Sequence, residues 1–129
     1  MIYTTLKLEK LIMNETINYR VREFDKILAE NGKINSNINR TLIMAYEDSI
    51  ENKNPLINFD RVIWLEDIAP IVDTLRKNGI KEFSISNTAS GLTKTLEAFE
   101  ALGCKVCGLT KANLIYGRKT APAIKLQVL

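Results

Sequence analysis

Apolar positions recur along this chain with two periods, helical in the first half and strand-like toward the end. Leu8, Leu11 and Ile12 fit a short opening helix or the first turns of a longer one. Ile17, Val21, Phe24 and Leu28 then fall at i, i+4, i+7 and i+11, which is one face of a helix. Gly32 stands where a C-terminal cap belongs. Ser36 is a candidate N-cap for the next helix, along which Ile38, Leu42, Ala45 (or Tyr46), Ser49 and Ile50 continue a stripe. Pro55 ends it, because the residue before a proline is pushed out of helical backbone geometry.

The pattern then changes. The run Arg61-Val62-Ile63-Trp64-Leu65 reads as a short strand. Asp67 is a cap candidate for a helix that takes Pro70 in its first turn and buries Ile68, Ile71, Val72 and Leu75. Lys77, Asn78 and Gly79 stop it. From Lys81 to Ser86 the residues alternate, with Phe83 and Ile85 on one face and Glu82, Ser84 and Ser86 on the other. A helix starting within Asn87-Thr88-Ala89-Ser90 carries Leu92, Leu96, Phe99 and Leu102 and ends at Gly103. Val106 to Tyr116 and Ala123 to Val128 read as strands joined by a turn over residues 117–120.

These elements predict an α+β or α/β fold. N-terminal helices (1–54) pack on a small mixed sheet of three to four strands, and residues 59–129 run (β)αβαββ in two layers. Because strand–helix–strand connections are right-handed, the strands flanking the helix at 90–102 are expected to be parallel, and the last two to form an antiparallel hairpin. At 129 residues the chain makes a single domain with one real core.

Composition narrows the chemistry. There is no histidine, so the commonest general base and metal ligand are missing and triads built on Ser-His or Cys-His are excluded. No cofactor motif is present, and an enzyme is not expected. No apolar run approaches the roughly 18 residues of a membrane span, and the N-terminus lacks a leader pattern, so a cytoplasmic protein is expected.

Charge adds a surface. Residues 1–58 hold eight basic and eight acidic side chains, whereas residues 101–129 hold Lys105, Lys111, Arg118, Lys119 and Lys125 and no acid. Such a basic hairpin either meets an acidic partner or guards sheet edges against unwanted pairing. An unpaired sheet edge also leaves a homodimer open.

Four smaller signals have competing readings. Ser86, Asn87, Thr88 and Ser90, at the end of an expected parallel strand, suit an anion or small ligand, but the same residue types cap helices. Cys104 and Cys107 have C-x-x-C spacing but follow a helix rather than open one, and a zinc site lacks its other ligands, so no metal is expected. Residues 28–42 loosely fit a helix-turn-helix presenting Asn37, Asn39 and Arg40 to DNA, although this half has no excess positive charge. Asp60, Glu66, Asp67 and Asp73 gather around Trp64 in sequence; paired carboxylates suit acid–base work or Mg²⁺, but Glu66 and Asp67 also stabilise a helix start, and Trp64 can staple onto Ile68.

The segments Phe59-Asp60-Arg61-Val62-Ile63-Trp64, Asp67-Ile68, Asn78 to Ser86, Phe99-Glu100 and Gly103-Cys104 resemble a family of small uncharacterised proteins carried by phages and other mobile elements of low-GC Gram-positive bacteria. The resemblance covers about the last 70 residues of the chain and brings no active site. It implies a non-enzymatic protein that binds a host or phage protein, including inhibitors of host nucleases or defence proteins of the anti-CRISPR kind. Two other readings stay open: a nucleic-acid-binding regulator using the basic hairpin or residues 28–42, and a small-molecule or phosphate binder, possibly enzymatic, using the loop 86–91.

Overall fold

The structure is a computed structural model and describes residues 39–129. The expected helices before residue 33, the Ser36 cap and most of the helix-turn-helix candidate lie outside them. Seven elements follow in order: α1 (Arg40–Glu51), β1 (Ile57–Phe59), α2 (Leu65–Lys77), β2 (Glu82–Ile85), α3 (Leu92–Ala101), β3 (Cys104–Leu114) and β4 (Lys119–Val128). The four strands make one mixed sheet in the order β1-β2-β4-β3. The architecture is the expected α+β one.

Local chemistry explains the helix ends. Asn39 caps α1: its Oδ1 accepts from the Leu42 N–H at 3.2 Å, and its Nδ2 donates to Asp67 Oδ1 at 3.0 Å. Thr41 Oγ1 donates to the other Asp67 oxygen at 3.0 Å. Asp67 is therefore not the cap of α2. It sits in that helix's first turn and ties the starts of α1 and α2 together. The N-cap of α2 is Trp64, which makes no side-chain cap bond, and Pro70 falls in the second turn rather than the first. Both α1 and α2 close with crossed carbonyl bonds. In α2 the N–H of Gly79 reaches Arg76 O at 3.1 Å and that of Ile80 reaches Leu75 O at 2.9 Å. Gly79 takes φ +68°, the left-handed geometry this turn demands.

The first strand is where the sequence reading fails. It is Ile57–Phe59, not residues 61–65; residues 61–64 form the loop into α2 and Leu65 begins that helix. Ile57-Asn58-Phe59 is fully buried despite the central amide. It pairs in parallel with β2, Asn58 opposite Ser84. On its other side Ser49 of α1 takes the place of a neighbouring strand. The Asn58 N–H donates to Ser49 Oγ at 2.8 Å, and that hydroxyl donates to Ala45 O at 2.6 Å. The β1 edge of the sheet is thereby covered by a helix.

The strands on either side of α3 do run in the same direction, but they are not neighbours. Each is antiparallel to β4, which lies between them. The apolar face of the sheet (Phe83, Ile85, Leu126, Val128 and Cys104) joins Ile68, Ile71, Val72 and Leu75 of α2 and Phe99 of α3 in one core. Phe83 packs edge-on to Phe59 with ring centroids 5.7 Å apart, and at a tilt to Phe99 at 5.0 Å.

The hairpin is longer than the rest of the sheet, and its strands start earlier than the sequence pattern implies. A bulge at Cys107 shifts the register between Val106 and Gly108. Its far end is tied back to the close of α1. Asn54 pairs with the backbone of Asn113, and Asn52 Oδ1 accepts from the Tyr116 N–H at 2.7 Å. The turn is residues 115–118, two residues before the expected one. Ile115 and Tyr116 both take left-handed backbone, φ +52° and +53°, which is strained for a β-branched residue. Ile115 is also exposed, so it recovers little by burial. Replacing Ile115 with glycine is expected to raise stability by about 1 kcal/mol. Urea denaturation of the two proteins measures it; a loss of stability would show that the turn does not hold this backbone.

Candidate functional site

The C-terminal ends of the parallel strands β1 and β2 lie side by side, and two loops leave from them. Phe59 O accepts from the N–H groups of both Ser86 and Asn87, at 3.0 and 3.3 Å. Asn87 Nδ2 donates to Arg61 O at 3.1 Å. Beneath these bonds runs a buried polar chain. Ser84 Oγ donates to Asn58 Oδ1 at 2.7 Å, Asn58 Nδ2 donates to Ser86 Oγ at 2.7 Å, and Ser86 Oγ donates to Asp60 Oδ1 at 2.8 Å. Among the described residues no buried side-chain polar atom is left without a partner.

On top of this scaffold the loop 60–64 turns Ile63 inward and leaves Val62, Trp64 and, at the start of α2, Leu65 exposed, Trp64 at 64 %. They wall one side of an open groove of about 160 Å³ whose other side is Asn87, Ala89, Ser90, Gly91 and Lys94. The groove is mostly apolar, with one cation at its rim.

The four residues singled out for an anion separate here. Ser86 is buried in the polar chain, and Asn87 is engaged with Arg61 O and with the Ala89 N–H at 3.4 Å. Thr88 and Ser90 remain exposed. None of the four caps α3, contrary to the capping reading: the N-cap is Gly91, with φ +109° and no side-chain bond. The expected staple of Trp64 onto Ile68 is also at odds with that ring's exposure. The sequence places Trp64 in a strand or a staple, both buried positions; its exposure follows only from the fold.

The five hairpin cations are not gathered on one face. Lys105 and Lys125 share the face of Gln127 and Ser84, whereas Lys111 lies on the opposite face with Leu109 and Pro122. Arg118 is in the turn and Lys119 beside it. All are exposed except Lys125, which is half-buried between β2 and β3. The acids near Trp64 in sequence also disperse: Asp60 serves Ser86, Asp67 serves α1, and Asp73 pairs with Lys77 at 2.9 Å. Cys104 is buried, and that burial raises its thiol pKa, an effect the Arg76 guanidinium partly opposes; Cys107 is exposed at the bulge. Among the described residues no three Cys, Asp or Glu side chains come together as a metal site, and no helix is long and apolar enough to cross a membrane.

This fold, from the second residue of α1 to the end of β4, is also the extent of a recognised family. A family model for a domain of unknown function, DUF7698, matches residues 41–128. The chain belongs to the DUF7698 family. The match begins at Thr41, which with the N-cap Asn39 binds Asp67, and takes in the Trp64 groove and the whole hairpin. The DUF7698 match thus takes in α1 together with the α/β part. Neither a curated protein nor a solved structure matches the chain.

Proposed function

We propose that this protein is a non-enzymatic binding protein that docks another protein through the Trp64 groove. The observation that carries this reading is the exposed set Val62, Trp64 and Leu65, held on a loop that hydrogen bonds and the buried Ile63 make rigid. Tryptophan dominates the energetics of protein interfaces, and a pre-ordered anchor avoids the ordering cost of binding. The likeness to phage and mobile-element proteins supports a host protein as partner, with a defence protein or nuclease as the target and inhibition as the effect. The division of the hairpin lysines between two faces weighs against a single phosphate-tracking surface of the kind nucleic acid needs.

The test is a pull-down from host lysate followed by calorimetry with the purified partner. Trp64→Ala is expected to weaken binding by about 2 kcal/mol, roughly thirtyfold, with the circular dichroism unchanged. Unchanged affinity would remove the groove from the interface. A salt-sensitive mobility shift with DNA or RNA in place of protein binding would favour the regulator reading.

A further inference from the structure

The outer edge of β3 carries a second site. Asn113 sets its phase. The Asn113 N–H donates to Asn54 Oδ1 at 2.6 Å and its carbonyl accepts from Asn54 Nδ2 at 3.0 Å, so both groups point away from β4. Backbone groups of an antiparallel strand alternate sides with period two, and the register is regular from Gly108 to Leu114. The N–H and C=O of Lys111 and Leu109 therefore also point outward. Pro122, opposite Lys111, agrees, because a proline has no N–H and fits a pair that exchanges no hydrogen bonds.

Among the described residues β3 is the last strand of the sheet, and Gly108, Leu109 and Lys111 are exposed, Leu109 at 81 %. The Cys107 bulge interrupts the run at one end and Asn54 occupies it at the other. What remains is two open rungs, room for an extended segment of about three to five residues. Asn54 already pairs with this edge as a strand would.

We propose that this edge takes an extended acidic segment of a partner protein as an added strand. The backbone of the segment pairs with Leu109 and Lys111, an apolar side chain faces Leu109, and a carboxylate faces Lys111. Charge selects the occupant. The hairpin brings Lys105, Lys111, Arg118 and Lys119 to its exposed surface and residues 101–129 contain no acid, so a second copy meets like charge. The lysines that deter neutral and basic strands favour an acidic one.

The probe is a labelled seven-residue peptide, Val-Val-Asp-Asp-Val-Val-Asp, in which residues two apart are always one valine and one aspartate, as the pair facing Leu109 and Lys111 requires, titrated into the full chain by fluorescence anisotropy, with amide exchange read in parallel. The expected result is binding that weakens with salt and slows exchange at the Leu109 and Lys111 N–H groups. Leu109→Pro removes one outward donor while sparing the β3–β4 ladder, and Lys111→Glu reverses the charge. Each is expected to weaken the peptide at least about tenfold, while Trp64→Ala leaves it unchanged. Should Leu109→Pro fail to fold, Lys111→Glu alone decides. Equal binding of a valine–lysine peptide, unaltered exchange at the two amides, or protection that grows with protein concentration alone would overturn the proposal, the last by making a second copy the occupant.

Discussion

Phe83→Ala is expected to cost about 3–5 kcal/mol of folding stability. Phe83 has no exposed surface and stands where three elements meet: β2, which carries it, β1 through Phe59, and α3 through Phe99. Deleting the ring removes its transfer free energy and leaves a cavity that paired strands cannot close by collapsing. It also removes two ring–ring contacts, each about 0.5–1.5 kcal/mol beyond burial. Since native stability is typically about 5–15 kcal/mol, the loss takes a large share of it. Phe83→Leu keeps most of the volume and is expected to cost about 1–2 kcal/mol. Urea denaturation of the three proteins checks the series. A cost below about 1.5 kcal/mol for the alanine variant would place the centre of the core elsewhere.

Asn58→Ala is expected to cost about 2–4 kcal/mol, far more than its methylene count implies. The amide accepts from Ser84 and donates to Ser86, and all three residues are buried. Truncation leaves the Ser84 hydroxyl without its acceptor and takes the Asn58 donor from Ser86. A buried group left unpaired costs about 1–3 kcal/mol. Replacing the set together, as Asn58→Leu with Ser84→Ala and Ser86→Ala, is expected to cost less than the sum of the three single changes, because no orphan remains. Equal costs would mean that the residues act independently. The single change reaches the groove as well. Ser86 connects Asn58 to Asp60, at the start of the loop that carries Trp64. Asn58→Ala is therefore expected to weaken partner binding through loss of loop order, an effect separable from the Trp64→Ala effect by amide exchange in residues 60–65.

The same residues show what was legible in the chain. The apolar stripe of α2, the Gly79 and Gly103 stops, the alternation in β2 and the presence of a hairpin all rest on neighbours within a few residues, so the amino-acid order alone determined them. The position of β1 did not follow, because Ile57-Asn58-Phe59 is short and carries a polar centre. Only Ser84 and Ser86, 26 and 28 residues away, make that amide a buried one. The apolar run at 61–65 looked like a better strand. Burial of Ile63 and exposure of its flanks instead turn it into the wall of a groove.

Sheet order belonged to tertiary structure for the same reason. Nothing local distinguishes β3 beside β2 from β4 beside β2; the choice depends on which long-range pairing buries Leu126 and Val128 against α2 and α3. The basic character of residues 101–129 was plain from the sequence, but its distribution was not. One bulge at Cys107 re-phases β3, so that Lys105 and Lys111 lie on opposite faces and two backbone rungs are left open between the bulge and Asn54. Side-chain identity determined which elements form and the sign of the surface charge. The long-range hydrogen bonds of Asn54, Asn58 and Asp67 decided where the open surface lies, because their partners come together only in the folded chain.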